Sequence, residues 1–259
     1  MTDVLRIDER PPLSDPTLVL AFEGWNDAGE AATGAARFVA ESIGAQPFAE
    51  IDPDPFFDFT VRRPAVRNTG GGRRQIDWPR TEFRGGSTQA GRGLVVGLGP
   101  EPHLRWRVYA DAVSDLVRRL GIRRAVLLGA YLADVLYSRP VGVTGSASRP
   151  DLLDGLGVEI SQYQGPTGIV GVLAERLRGE GVEVISLWVA LPHYIDAAPN
   201  PRGALALVGK LGPYLELELD AAPLLEASAR FEERVSALVA NDPEIAEYVR
   251  ELKRREFAN

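Results

Sequence analysis

The stretch Thr17 to Phe38, TLVLAFEGWNDAGEAATGAARF, constrains this chain more than any other. Leu18 to Phe22 form an unbroken apolar run of strand length, the pattern of a strand covered on both faces. Gly24 interrupts the run, Asn26 or Asp27 suits a helix cap, and Glu30 stands three residues after Asp27 in a variant of the capping box. Alanine-rich sequence then carries a helix toward Gly44, a suitable stop. A strand of this kind running straight into a helix belongs to an α/β protein, because helices must cover both faces of its sheet.

The same grammar recurs. Gly93–Leu98 reads as a second buried strand, followed by a helix in which Trp106, Tyr109, Val113, Leu116, Val117 and Leu120 recur at helical spacing. Arg124–Tyr131 and Val182–Leu191 are further buried strands, with a helix starting near Thr167 between them. Strand–helix–strand order implies parallel pairing through right-handed crossovers. Gln46–Ile51 reads as another strand, and Val61–Val66 with Arg74–Trp78 reads as a hairpin or two edge strands around Gly70–Gly72. Gly85-Gly86 marks a turn, Ser148-Arg149-Pro150 opens a short helix through Leu156, and residues 1–16 form an irregular lead-in rich in proline. Beyond residue 221 the pattern becomes helical throughout. Leu224, Phe231, Val235 and Leu238 line one stripe; Ile245, Tyr248, Val249 and Leu252 line another. The expected architecture is an α/β core over residues 1–221, built on a mostly parallel mixed sheet flanked by helices. A C-terminal helical hairpin over 222–259 packs on that core or on a partner subunit.

Composition excludes several functions. The chain has no cysteine, which removes disulfides, thiolate zinc sites and cysteine nucleophiles. Its net charge of −7 argues against nonspecific nucleic-acid binding. No 18-residue apolar run exists for a membrane span, and MTDVLRIDERPP lacks the basic and apolar parts of a signal peptide, so the expected location is the cytoplasm. Only two of the 29 basic residues are lysine, so the arginines reflect coding bias rather than phosphate recognition.

Signatures of common chemistries are missing as well. There is no GxxxxGK[ST], no GxGxxG and no GxSxG. The two histidines, His103 and His193, lie far apart and outside any HExxH pattern, so no metal and no cofactor are expected. Three turns nevertheless share one geometry, since Glu23–Asp27, Gly99–His103 and Gly165–Gly168 each precede a helix. In a parallel sheet they converge on the carboxyl edge, together with Pro192-His193-Tyr194. The candidate ligand pocket is therefore Glu23, Trp25, Asp27, His103, Arg105, Gly165, Thr167, Gly168, His193 and Tyr194, with the N–H groups of Gly165–Gly168 receiving an anion. Each residue also has a structural reading: Asp27 and Thr167 as caps, His103 as a cap, His193 as a strand terminator, Trp106 as core.

Five motifs in order, AFEGWNDAG at 21–29, GPEPHLRW at 99–106, SRPVGVTGSAS at 138–148, YQGPTGI at 163–169 and LPHYIDAAPNPRGALAL at 191–207, together resemble the actinobacterial branch of the proteasome assembly chaperone two family. The resemblance implies a phosphorylase/hydrolase-like core and a homo-oligomer, with a trimer as the first expectation. It also implies proteasome subunits as partners. It supplies no catalytic residue, and what carries over is limited to motif positions: Gly24, Trp25, Asp27 and Gly29; Pro102, Arg105 and Trp106; Gly165 to Gly168; Pro192, His193 and Tyr194. The chain departs from a proteasome-docking tail, because Phe257-Ala258-Asn259 has alanine where such tails carry tyrosine. Two functions follow as expectations: an oligomeric assembly factor without evident catalysis, or an enzyme or binder of the nucleoside phosphorylase/hydrolase type using the carboxyl-edge pocket.

Overall fold

The computed structural model describes residues 4–258, with side chains through residue 256, so the tail at 257–259 lies outside the described side chains. The strands are β1 (Leu5–Ile7), β2 (Thr17–Glu23), β3 (Gln46–Ile51), β4 (Ala65–Asn68), β5 (Arg74–Asp77), β6 (Thr81–Ser87), β7 (Gly93–Pro100), β8 (Arg124–Ala133), β9 (Val143–Ala147), β10 (Glu159–Ile160) and β11 (Glu183–Pro192). The helices are α1 (Ala31–Ser42), α2 (Trp106–Leu120), α3 (Ile169–Gly179), α4 (Pro201–Leu215), α5 (Ala222–Asn241) and α6 (Pro243–Ala258). Nine strands make one sheet in the order β1-β3-β6-β7-β2-β8-β11-β9-β10, and β4 with β5 forms a separate two-stranded ribbon.

The centre of the sheet is parallel: β2 pairs with β7 and β8, and β8 with β11. Antiparallel strands extend both flanks, β6, β3 and β1 on one side and β9 on the other. Alternation along β2 explains the layering. Leu18, Leu20 and Phe22 point into a core built with α2 and α3, while Val19 and Ala21 point into one built with α1 and α4. Side chains on both faces are fully buried, as the continuous apolar run requires.

Because α1 leaves β2 onto one face and α2 leaves β7 onto the other, the carboxyl ends of these neighbours flank a topological switch point. At the other end of the parallel block, α5 and α6 close over the ends of β8 and β11. There Phe231, Val235, Val239 and Val249 bury a third, smaller core with Ile195. Leu238, expected inward, is exposed, and Val239 takes its place on the buried stripe.

Local details differ from the sequence reading for identifiable reasons. The lead-in contains β1, which pairs antiparallel with β3 before the prolines begin. Gly85 and Gly86 lie inside β6 rather than in a turn. A Cβ at Gly85 would stand 2.6 Å from Pro11, and one at Gly86 2.9 Å from Ile43, so the glycines serve close packing. The helix at Pro150 is a 3₁₀ turn ending at Leu153. Glu30 has φ 53°, ends a 3₁₀ turn over Ala28–Glu30 and makes no side-chain cap bond, so it forms no capping box with Asp27.

Candidate functional site

At the switch point the chain turns sharply after β2. Gly24 takes φ 107°, a value that suits glycine, and turns the backbone so that Trp25 points outward and Asn26 and Asp27 inward. Asp27 spans the 3₁₀ turn and caps α1 at a distance. Its carboxylate accepts from the N–H of Ala32 (2.8 Å) and of Thr33 (3.1 Å), and from the Thr33 hydroxyl. Burial pushes the Asp27 carboxyl above its ordinary value, against the hydrogen bonds from Thr33 and Ala32. Its partners are all groups that α1 would otherwise leave unpaired.

Asn26 makes the link between turns. Its backbone carbonyl accepts from Ala130 of β8 (2.8 Å), and its fully buried side-chain amide donates to Glu101 Oε1 (2.7 Å). The same oxygen accepts from the N–H of Ile169, the first residue of α3, at 2.7 Å. Glu101 thus occupies the position at the α3 N-terminus where an anion would bind. Thr167, expected to cap this helix, is exposed and makes no cap bond; the helix is capped from another turn. Gly168 packs against both partners: a Cβ there would meet the Asn26 amide and come within 2.6 Å of Glu101 Oε1. Three turns, after β2, after β7 and before α3, therefore lock through Asn26, Glu101 and Gly168.

The remaining candidates fall around this lock. Glu23 pairs with Arg62, and its carbonyl accepts from the N–H of Glu101 (2.9 Å). His103 stacks edge-on against Phe57, and its Nδ1 accepts from the N–H of Asp58 at 3.0 Å, which fixes the proton on Nε2 when the ring is neutral. Arg105, at φ 54°, starts α2 with its side chain exposed. Gly165 is exposed under Tyr163, whose hydroxyl donates to the Pro166 carbonyl (2.9 Å).

His193 and Tyr194 sit elsewhere, below the C-terminal helices. Asp134 Oδ1 lies 2.9 Å from His193 Nε2 and accepts from the Tyr248 hydroxyl at 2.8 Å. This hydrogen bond with Asp134 raises the Tyr248 hydroxyl above its ordinary value. Tyr194 accepts from the Tyr137 N–H and donates to the Val135 carbonyl, both at 3.0 Å. The pair thus ties the ends of β8 and β11 to α6 and to the segment after β8.

Beside this tie lies an open cleft of about 970 Å³, walled by the segment after β8, the end of β11 and the C-terminal helices. Arg139, Arg202, Lys210 and Arg255 contribute cationic groups and Asp134, Glu159 and Glu256 acidic ones. None of the ten candidate residues lines it. Among the described residues no group of three metal-ligating side chains forms a site. Among the described residues no helix is long and apolar enough to cross a membrane. Asn26 and Glu101 were missing from the candidate set. The signal for Glu101 is its place directly after Pro100 in the Gly99–His103 turn, at the carboxyl edge of the sheet where helix N-termini converge.

A model of the PAC2 family matches residues 21–239. A solved PAC2 family protein from Streptomyces avermitilis is 38% identical, with TM-score 0.82, covering 91% of this chain and 100% of that one. A Mycobacterium tuberculosis proteasome-assembly chaperone homologue is 36% identical, with TM-score 0.82, covering 90% of this chain and 99% of that one. An archaeal proteasome activator from Pyrococcus furiosus shares the fold, with TM-score 0.72 at 20% identity, covering 90% of this chain and 97% of that one. No curated protein sequence matches the chain.

Proposed function

This chain belongs to the PAC2 family, and from its membership we propose that it is an oligomeric, chaperone-like factor that assembles with proteasome subunits rather than turning over a substrate. The observation that carries this reading is the likeness to the Mycobacterium tuberculosis proteasome-assembly chaperone homologue across most of both chains. The geometry supports it from the other side. At the switch point, where an α/β enzyme holds its ligand, the polar groups are engaged with one another: Glu23 with Arg62, Asp27 with α1, Glu101 with Asn26 and α3. In this reading residues 1–221 form the assembling core and 222–259 the extension that meets a partner, the copies form a trimer, and the protein works in the cytoplasm.

A second reading, a binder of a small molecule, draws on one observation: the cleft beneath α5 and α6 has the volume of ligand pockets. Both are tested by purifying the tagged protein from its native cells after light crosslinking. Recovery of proteasome α or β subunits in proportion to the bait supports the assembly role. Recovery of the bait alone, with a thermal shift on adding nucleosides or phosphate, transfers the function to the cleft; a saturating ligand at about 100 times its Kd raises stability by about 2.7 kcal/mol.

A further inference from the structure

Charge is distributed unevenly along this chain. Residues 61–80 hold six arginines and a single acid, a net charge of +5, which leaves −12 on the remainder of a chain whose total is −7. Residues 1–60 hold twelve acids against three arginines. The basic stretch is the β4–β5 ribbon and its flanks, standing outside the nine-stranded sheet. None of its strand residues is buried, and none belongs to a core. A two-stranded ribbon alone in water is at best marginally stable, so one held outside every core calls for a surface to lie on.

Its side chains describe that surface. Val66 and Ile76 are direct partners across the ladder and share one face, exposed by 63% and 50%. Arg74 lies on the same face, opposite Asn68. Arg62, Arg67 and Arg80 are matched within the chain, by Glu23, Asp77 and Glu50. Arg63, Arg73 and Arg74 are exposed and make no ion pair among the described residues. A fitting surface is therefore acidic with an apolar patch. The chain carries an acidic edge of its own. Asp52 follows β3 where its N–H meets the Val4 carbonyl (2.8 Å), and Asp54 and Asp58 follow in the same loop. The Asp52 and Asp58 carboxylates accept from the N–H groups of Asp54 (3.1 Å) and Thr60 (2.8 Å) in their own turns, and neither makes an ion pair with an arginine or lysine among the described residues.

We infer that the β4–β5 ribbon is a docking arm for a second copy of this chain, with Arg63, Arg73 and Arg74 seated on the Asp52–Asp58 edge of that copy and Val66 and Ile76 buried in the contact. Nucleic acid is the other polyanion these arginines would attract. The −12 on the rest of the molecule repels it, and a phosphate backbone offers Val66 and Ile76 nothing apolar. This inference rests on the self-association reading given above and specifies the face.

The test is sedimentation velocity with three proteins: the wild type, an arm variant R63E/R73E/R74E, and an edge variant D52R/D54R. Wild type self-associates, and its Kd rises at least about tenfold between low and high salt because exposed charges are screened. Each variant alone sediments as monomer, and mixing the two restores a complex, since a reversed arm fits a reversed edge. The absence of cysteine allows V66C to carry a photo-crosslinker without background, and its product maps to residues 52–58 of the other copy. A wild type that stays monomeric overturns both this inference and the self-association reading. Variants that associate like wild type, or a mixture that forms no complex, overturn the arm alone. Retention of single-stranded DNA by the arm without self-association also overturns it and assigns the ribbon to nucleic acid.

Discussion

The two ends of the parallel block face the same side of the sheet and are finished differently. Between β2 and β7, three turns meet on a shared carboxylate. Buried groups there are paired, apart from Asn26 Oδ1. Between β8 and β11, the tie of His193, Asp134 and Tyr248 lies at the surface, and a wide cleft opens beside it. The difference shows that a topological switch point is an opportunity and not a site. When the chain fills the crevice with its own side chains, open volume is left elsewhere, here beside α5 and α6.

Five variants separate these ends. The largest effect belongs to Gly168→Ala. The new Cβ collides with Asn26 and Glu101, neither of which can withdraw without losing a buried hydrogen bond, so chemical denaturation should show a loss of about 3 kcal/mol. Asp27→Ala follows, with a loss of about 2 kcal/mol, because it strips a buried cap from two N–H groups and a hydroxyl. The milder Asp27→Asn tests the sign of its pKa shift. A carboxyl raised in the folded state favours folding when protonated, so that contribution is lost as pH rises through the folded value. Wild type should therefore lose stability relative to Asp27→Asn as pH climbs above about 4, whereas a depressed carboxyl would give the opposite slope. Glu101→Gln keeps both hydrogen bonds but removes the charge at the α3 N-terminus, and should cost about 1 kcal/mol at low salt. Tyr248→Phe should leave the unfolding midpoint unchanged and speed amide exchange within α6 alone, as expected of a surface tie. A global effect from Tyr248→Phe, or none from Gly168→Ala, would erase the contrast between the two ends.

The layers of this fold could be read before the structure because they are written in short-range patterns. Apolar runs at Leu18–Phe22 and Arg124–Tyr131, and the helical stripe from Trp106 to Leu120, each declare their element within one window. The family motifs carried the rest of the architecture. Half of the lock is legible in the sequence. Asp27 reads as a cap, but its partners lie beyond an intervening 3₁₀ turn. Glu101 serves a helix that begins 68 residues later, and no local window holds both. Gly85 and Gly86 misled for a related reason. A glycine that makes a turn and one that makes room for Pro11 or Ile43 look alike in sequence. The arm's importance was hidden by the arginine bias of the whole chain, which made a local excess easy to discount.

Glu101 has a consequence beyond stability. A carboxylate held by the fold against the α3 N-terminus behaves as a tethered competitor, present at an effective concentration of at least roughly millimolar. A free phosphate or carboxylate would have to outcompete it before occupying the switch point. The molecule thus carries a built-in antagonist of the ligand class its architecture would otherwise recruit, and trading that one residue for a neutral, shorter one is the simplest route by which such a scaffold could gain an anion site.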